Sequence, residues 1–318
     1  MTLRRRHLLA APLALPALAA AQGFPERPLT IVVPYAPGGP IDVLARTLGP
    51  ELQREIGQTV VIETRPGAGG NVGAAFVAQQ SRPDAHTLLF TGAALASSVS
   101  LANLSFDPVR DLAPVAGTGA IPNLVVVGPP SPFRTIADAL AAARSRPVTY
   151  GSSGPGTGSH LSGALLAAAA GVELTHVPYR GSGAVHPDLI AGRIDLLLDV
   201  MASAIGQVQQ GAVRAIATTA AHRSAVLPDV PAVAETVPGY AFETWTGLFI
   251  RSGAPEASRQ RLEAAVLRAI GTPAFRERLR LSSAEPIPAD GAGFGAYFRA
   301  DVERWAQMLR TGRIERVE

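Results

Sequence analysis

The chain has 318 residues, 47% hydrophobic and only 17% charged, which suits two ordinary domains with full cores and excludes a disordered protein. It contains no cysteine and no lysine, which removes disulfides, thiolate nucleophiles, cysteine metal sites, a Schiff-base lysine and a Walker lysine. The 28 basic residues exceed the 25 acidic ones by three, and Arg4, Arg5 and Arg6 are those three, so the neutral body offers nucleic acid no electrostatic footing.

The N-terminus reads as an address. Three arginines precede an apolar run over 8–21 that contains Pro12 and Pro16 and closes on Ala19, Ala20 and Ala21, small residues that suit cleavage. The run is too short to span a membrane. Paired arginines followed by x-Leu-Leu resemble a twin-arginine export signal, and a general secretory signal is the alternative. The mature chain is expected to start near Gln22.

Strands and helices then alternate. A β-branched strand over 29–33 leads through Pro34, Pro37, Gly38 and Gly39 into a helix over 41–56, with Pro40 at its first position and Gly57 as its stop. A strand over 59–63 precedes a glycine-rich loop, 65–73, and a helix over 74–80. A strand over 87–90 ends in Thr91-Gly92-Ala93, and 94–99 starts a helix. Residues 106–115 read as an irregular connection, 124–127 as a strand and 136–144 as an alanine-rich helix. A second group begins with a strand over 148–151, a loop of glycine and hydroxyl residues over 152–160, and an apolar helix over 161–170 expected to be deeply buried. A strand ending in Val177-Pro178-Tyr179, a helix over 184–191, a central strand over 194–198 and a strand over 213–218 complete that group. A proline-rich passage over 228–235 returns the chain, a strand over 245–250 follows, and two helical faces end it: Leu262, Ala265, Val266, Ala269 and Ile270, then Phe294, Tyr297, Phe298, Trp305 and Leu309. The aromatic stripe reads as core. The alternation predicts mainly parallel sheets flanked by helices.

The stretch over 33–42 is repeated in kind at 175–183: Val-Pro-Tyr followed by a glycine turn and a helix. A helix start behind a glycine turn presents unpaired N–H groups and partial positive charge, which suits an anion. Two such turns suggest two lobes facing one carboxylate-bearing ligand. Any α/β protein also needs glycine turns after its strands, so a single copy would say little. Asp42 would repel such a ligand and reads as support for its own helix. His176 and His186 read as structural. For an enzyme, the sequence offers no nucleophile elbow, no zincin motif and no metal spacing among its six histidines.

Val-Pro-Tyr-Ala-Pro-Gly-Gly-x-x-Asp at 33–42 resembles the opening signature of the tripartite tricarboxylate transporter receptor family, the Bug proteins. Arg-Pro-Gly-Ala-Gly-Gly-x-x-Gly at 65–73, Phe-Asp-Pro-Val-Arg-Asp-Leu-x-Pro-Val at 106–115 and Tyr-Gly-Ser-Ser-Gly-x-Gly-Thr at 150–157 follow in the family's order. So do Val-Pro-Tyr-Arg-Gly-Ser-Gly at 177–183, Pro-Gly-Tyr at 238–240 and Trp-x-Gly-Leu at 245–248. Thr64, Ala85 and Ala232 depart from the usual residues. The resemblance implies a two-lobed type II periplasmic-binding-protein fold with a two-stranded crossover, lobe one from 22–120 and 228–318 and lobe two from 121–227. It implies a periplasmic, monomeric receptor that uses no cofactor and delivers a small carboxylate to the membrane subunits of a tripartite transporter. A sensor of the same fold is the alternative, and an exported hydrolase a more distant one. By position, the ligand residues are Tyr35, Ala36, Gly38, Gly39, Thr91, Gly92 and Ala93 in lobe one, and Ser153, Thr157, Ser159, His160, Tyr179, Gly181 and Asp199 in lobe two. Backbone N–H groups of 36–39 would take one carboxylate. His160 can instead cap or pack, Asp199 can instead cap a turn, and Arg180 can be a clamp or a solvated side chain.

Overall fold

A computed structural model describes residues 23–310 except Ser283, Glu285, Pro286 and Pro288, so the expected export signal lies outside the described residues. The strands, in chain order, are β1 (Leu29–Val33), β2 (Val60–Thr64), β3 (Thr87–Gly92), β4 (Leu112–Val127), β5 (Thr149–Ser152), β6 (Thr175–Pro178), β7 (Leu196–Val200), β8 (Arg214–Thr218) and β9 (Glu243–Arg251). The helices are α1 (Pro40–Ile56), α2 (Asn71–Ala75), α3 (Ala94–Leu101), α4 (Pro108–Asp111), α5 (Ile136–Ala143), α6 (Gly158–Ala170), α7 (Ser182–Ile190), α8 (Met201–Gln209), α9 (Glu256–Ile270), α10 (Pro273–Leu281) and α11 (Gly291–Arg310).

One curled sheet runs β2-β1-β3-β9-β4-β7-β5-β6, with β8 also paired to β4. The 16-residue β4 belongs to both halves. Its first part, to Pro122, pairs with β9, and Asn123 to Val127 pair with β7 and β8. In the first half only β9 runs against the others, and in the second only β4 does, among the described residues. The expected α/β, mainly parallel, two-lobed architecture is what the chain adopts.

The local chemistry explains most elements. Pro40 opens α1, and Gly57 closes it at φ 75° with its N–H on Gln53 O, a conformation glycine adopts without strain. The C-terminal aromatics dock α11 on β9: Trp245 meets Phe294 edge-on at 5.4 Å and Phe249 meets Phe298 at 5.1 Å. Trp245 Nε1 donates to Asp301 at 2.7 Å inside that contact. Helix α11 thus packs on the first half of the sheet.

Three expectations are corrected. The irregular connection over 106–115 is instead α4, whose start Asp107 caps by accepting from Val109 N and Arg110 N, followed directly by β4. Pro114 and Pro122 argue against a strand there. Pro114 is accommodated by a register shift between it and Ala116, and Pro122 lies at the last pairing with β9. The strand expected at 124–127 is the far end of this same crossing strand. Helix α6 is buried on one face only, through Ser159, Leu161, Ser162, Gly163 and Leu166, because its run of small alanines needs no deep core. Helices α8 and α10 were not expected at all.

Candidate functional site

Three helices begin with side-chain caps: Asp107 on α4, Thr135 with Asp138 on α5, and Thr272 on α10, while α8 and α9 begin without one. Such caps satisfy the orphan N–H groups of a first turn. Three helices that follow the C-terminal ends of sheet strands differ. After β3, β5 and β6 come α3, α6 and α7, with Ala93, Thr157 and Gly181 at their N-caps, no side-chain cap, and no acidic residue in the first turn. No side chain within these helices caps those N–H groups, and the nearest acid of the chain's own is Asp199, which accepts from Ser182 Oγ at the start of α7. In open α/β sheets, this is the end at which ligands bind.

These starts are drawn together at the crossing strands. Ala93 N donates to Trp245 O at 3.1 Å. Beside Trp245, Thr244 Cγ2 stands 3.6 Å from a Cβ position built on Gly92, and a Cβ on Gly158 would collide with Thr244 Oγ1. The starts of α3 and α6 therefore flank one side chain. From the other direction, Gly181 N donates to Ser153 O at 3.1 Å and Tyr179 N to Ser152 O at 3.0 Å, tying the start of α7 to the α6 loop. Across the lobes, Gly69 comes close enough to Pro155 O that a Cβ there would touch it at 3.7 Å.

The two Val-Pro-Tyr turns differ. In the first, Gly38 N donates to Asp42 Oδ2 at 2.9 Å and Gly39 N to Ala36 O at 3.4 Å, while Pro37 and Pro40 have no N–H. Asp42 is 2% exposed, and burial opposes its charge. Its bonds to Arg46 and Gly38 outweigh that and hold the carboxyl below its ordinary range. Asp42 serves its own helix start, as its position suggests. The N–H groups of Gly38 and Gly39 are thus engaged within the turn. Tyr35 turns inward, its hydroxyl 3.2 Å from Thr91 Oγ1, and its ring edge packs on Gly70. Burial pushes this phenol up, partly offset by hydrogen bonds with Thr91 and Gly92.

The lobe-two loop satisfies its own hydroxyls. Thr157 Oγ1 donates to Gly154 O at 2.6 Å and sits 3.0 Å from Ser159 Oγ, which lies 2.8 Å from Ser153 Oγ and accepts from Ser153 N at 2.9 Å. The arrangement that serves each partner runs Ser153 to Ser159 to Thr157 to Gly154 O, so every hydroxyl proton is spent within the loop. The donors left are backbone N–H groups ahead of the first intrahelical bond, Leu161 N to Thr157 O.

His160 accepts from Gly156 N through Nδ1 at 3.1 Å and stacks on His176 at 4.1 Å. Burial, and then the neighbouring His176, push its pKa down to about 4, so it is neutral at physiological pH. Tyr179 donates its hydroxyl to Asp188 at 2.7 Å. Asp199 is fully buried, with Oδ1 accepting from Ser182 Oγ at 2.7 Å and Oδ2 3.1 Å from His186 Nε2. Both its oxygens thus fix the start of α7. Arg180 is exposed. Sequence reasoning passed over Thr244 and Asn123 and took Gly158 only as part of the ligand-facing loop over 152–160; the only hint of Thr244 was its place next to the Trp-x-Gly-Leu motif.

Two α/β lobes sharing crossing strands, with bare helix starts gathered at the strand ends, define a solute-binding protein. Residues 44–313 match the family described as tripartite tricarboxylate transporter family receptor, and the chain belongs to that family. A UPF0065 protein from the tcbD-tcbE intergenic region of Pseudomonas sp. strain P51 is 37% identical over 291 residues, covering 90% of this chain and 86% of that one. The periplasmic binding protein BugD superposes with a TM-score of 0.84 at 29% identity, over 92% of this chain and 100% of BugD. R. palustris Rpa4515, solved with adipate, gives a TM-score of 0.84 at 32% identity, over 92% and 100% of the two chains. The protein is a solute-binding receptor of a periplasmic-binding-protein family. No helix among the described residues is long and apolar enough to cross a membrane.

Proposed function

We propose that this receptor captures a small carboxylate between its lobes and delivers it to the membrane subunits of a tripartite transporter. The observation that carries the reading is the contrast in helix starts: α3, α6 and α7 are bare where the strand ends meet, while α4, α5 and α10 are capped elsewhere. An anion in that position gains several charge-assisted hydrogen bonds, each worth about 1.5–3 kcal/mol net, without a buried arginine. Tyr35, Thr91, Gly92 and Ala93 form the lobe-one wall, and the Ala36–Gly39 turn is its rim. Ser153, Thr157, Ser159 and His160 shape the α6 start, and Tyr179, Gly181 and Asp199 shape the α7 start. Adipate in Rpa4515 supports the carboxylate class. Release to a transporter requires the lobes to open, and the chain acts as an exported monomer that carries out no chemistry on its cargo.

Thermal melting of the exported chain against a panel of carboxylic acids and their primary amides tests this. At about a hundred times its dissociation constant, an acid adds about 2.7 kcal/mol of stability. A rise in melting temperature with an acid, absent with its amide, is the expected result. Amides that stabilise as well as their acids would sink the reading. Loss of uptake of that acid in a deletion strain is expected; a strain that keeps uptake and loses only gene induction would point to a sensor.

A further inference from the structure

Two buried polar atoms where the strands cross have no hydrogen-bond partner: Asn123 Oδ1 and Thr244 Oγ1. Both side chains meet Gly158, the first residue of α6. Asn123 Nδ2 lies 3.3 Å from Gly158 O, and Thr244 Oγ1 occupies the space that a side chain at Gly158 would need. Asn123 is fully buried, and its amide cannot be turned round. Nδ2 faces Gly158 O and Leu198 O, which only accept, and also bonds Ser162 Oγ at 2.9 Å. Oδ1 is therefore a true acceptor with nothing donating to it.

The two side chains share a face. Thr244 pairs with Ile121, and Asn123 lies two residues beyond Ile121, so strand alternation directs both the same way. Along β4 that face passes from one hydrophobic core at Ile121 to the other at Val125. Asn123 and Thr244 stand at the changeover, beside the bare start of α6. The helix starts supply donors, which suit a carboxylate. Asn123 Oδ1 requires the opposite.

We infer that Asn123 and Thr244 read a hydrogen-bond donor on the ligand, so that the cargo is an acid carrying a hydroxyl or amine beside its carboxylate. The inference rests on the receptor reading above. With the carboxylate at the start of α6, a neighbouring hydroxyl or amine donates to Asn123 Oδ1, and the Thr244 hydroxyl completes its hydrogen bonding. An acid without the donor leaves the buried acceptor unpaired, which costs about tenfold or more in affinity.

The test is calorimetric titration of the exported chain with acids matched except for the donor: malate, tartrate and aspartate against succinate, lactate against propionate, mandelate against phenylacetate. In at least one pair the donor-bearing acid is expected to bind about tenfold tighter or better. Thr244→Val is expected to shrink that preference to about threefold or less, and Thr244→Ser to keep it. Donor-free acids that bind as tightly in every pair overturn the inference and leave the receptor reading standing, and the wild-type protein alone decides this. A preference that Thr244→Val leaves unchanged overturns it too, as does one that Thr244→Ser loses equally, since the methyl and not the hydroxyl would then be responsible. If no acid in any pair binds, the receptor reading falls and this inference with it.

Discussion

The two Val-Pro-Tyr turns look alike in sequence and differ in electrostatics. After β1, Asp42 folds back on Gly38 and neutralises the start of α1. After β6, α7 begins at Gly181 with no acid in its first turn, and Ala184 stands where Asp42 stands in α1. A glycine turn before a helix thus makes room for an anion, and the third helical residue decides whether the protein supplies its own. On the reading proposed here, the second turn and not the first takes the ligand.

The largest expected effect comes from making the second turn resemble the first. Ala184→Asp puts a carboxylate at the start of α7 and should weaken carboxylate binding by about a hundredfold, since like charges a few ångströms apart at an effective dielectric near 20 repel by a few kcal/mol. The same change should raise the stability of the free protein by about 0.3–1 kcal/mol through the helix dipole. Titration and melting on one preparation separate the two, and a variant that binds as well as wild type breaks the comparison.

The reverse change removes the acid from the first turn. Asp42→Asn abandons the buried charge that Gly38 N and Arg46 share and should cost about 1.5–3 kcal/mol, read from urea unfolding. Affinity should stay within about threefold, since the first turn does not hold the anion in this account. A large rise or fall in affinity would give that turn a role it is denied here.

Space at the α6 start offers a smaller effect with a reversed sign. Gly→Ala inside a helix ordinarily stabilises by about 0.5–1 kcal/mol. Gly206 in α8 has nothing within 4 Å of an added Cβ and should behave so. Gly158→Ala should instead destabilise, because its methyl meets Thr244. Equal gains at both positions would show that the two lobes do not meet at Gly158.

The smallest effect is a pH slope. His160 stays neutral in the fold because its pKa lies near 4, whereas the unfolded residue titrates near 6.5. Its contribution to stability is therefore complete above about pH 6.5 and is lost progressively as pH falls toward 4. His160→Asn should flatten melting temperature against pH across that window, and an unchanged slope would place the acid sensitivity elsewhere.

Much of this was legible in the chain. Pro40, Gly57 and the Leu44-Leu48-Leu52 spacing announced α1, and Asp42 announced its own role. Phe294, Phe298 and Trp305 read correctly as core, because apolar periodicity is a local signal. The crossing strand β4 was hidden by Pro114 and Pro122, whose tolerance depends on a register shift and a ladder end set by β9. The unpaired states of Asn123 and Thr244 could not be read at all. They arise only when residues 123, 158 and 244 meet, and no local pattern encodes a missing partner.

The most direct test is to follow backbone amide resonances while adding an acid that stabilises the protein. The account predicts downfield shifts at the N–H groups of Gly158, Ser159, Ser182 and Gly183, with those of Ile41 and Asp42 nearly still. Movement concentrated at Ile41 and Asp42, with the α6 and α7 starts unaffected, would contradict it.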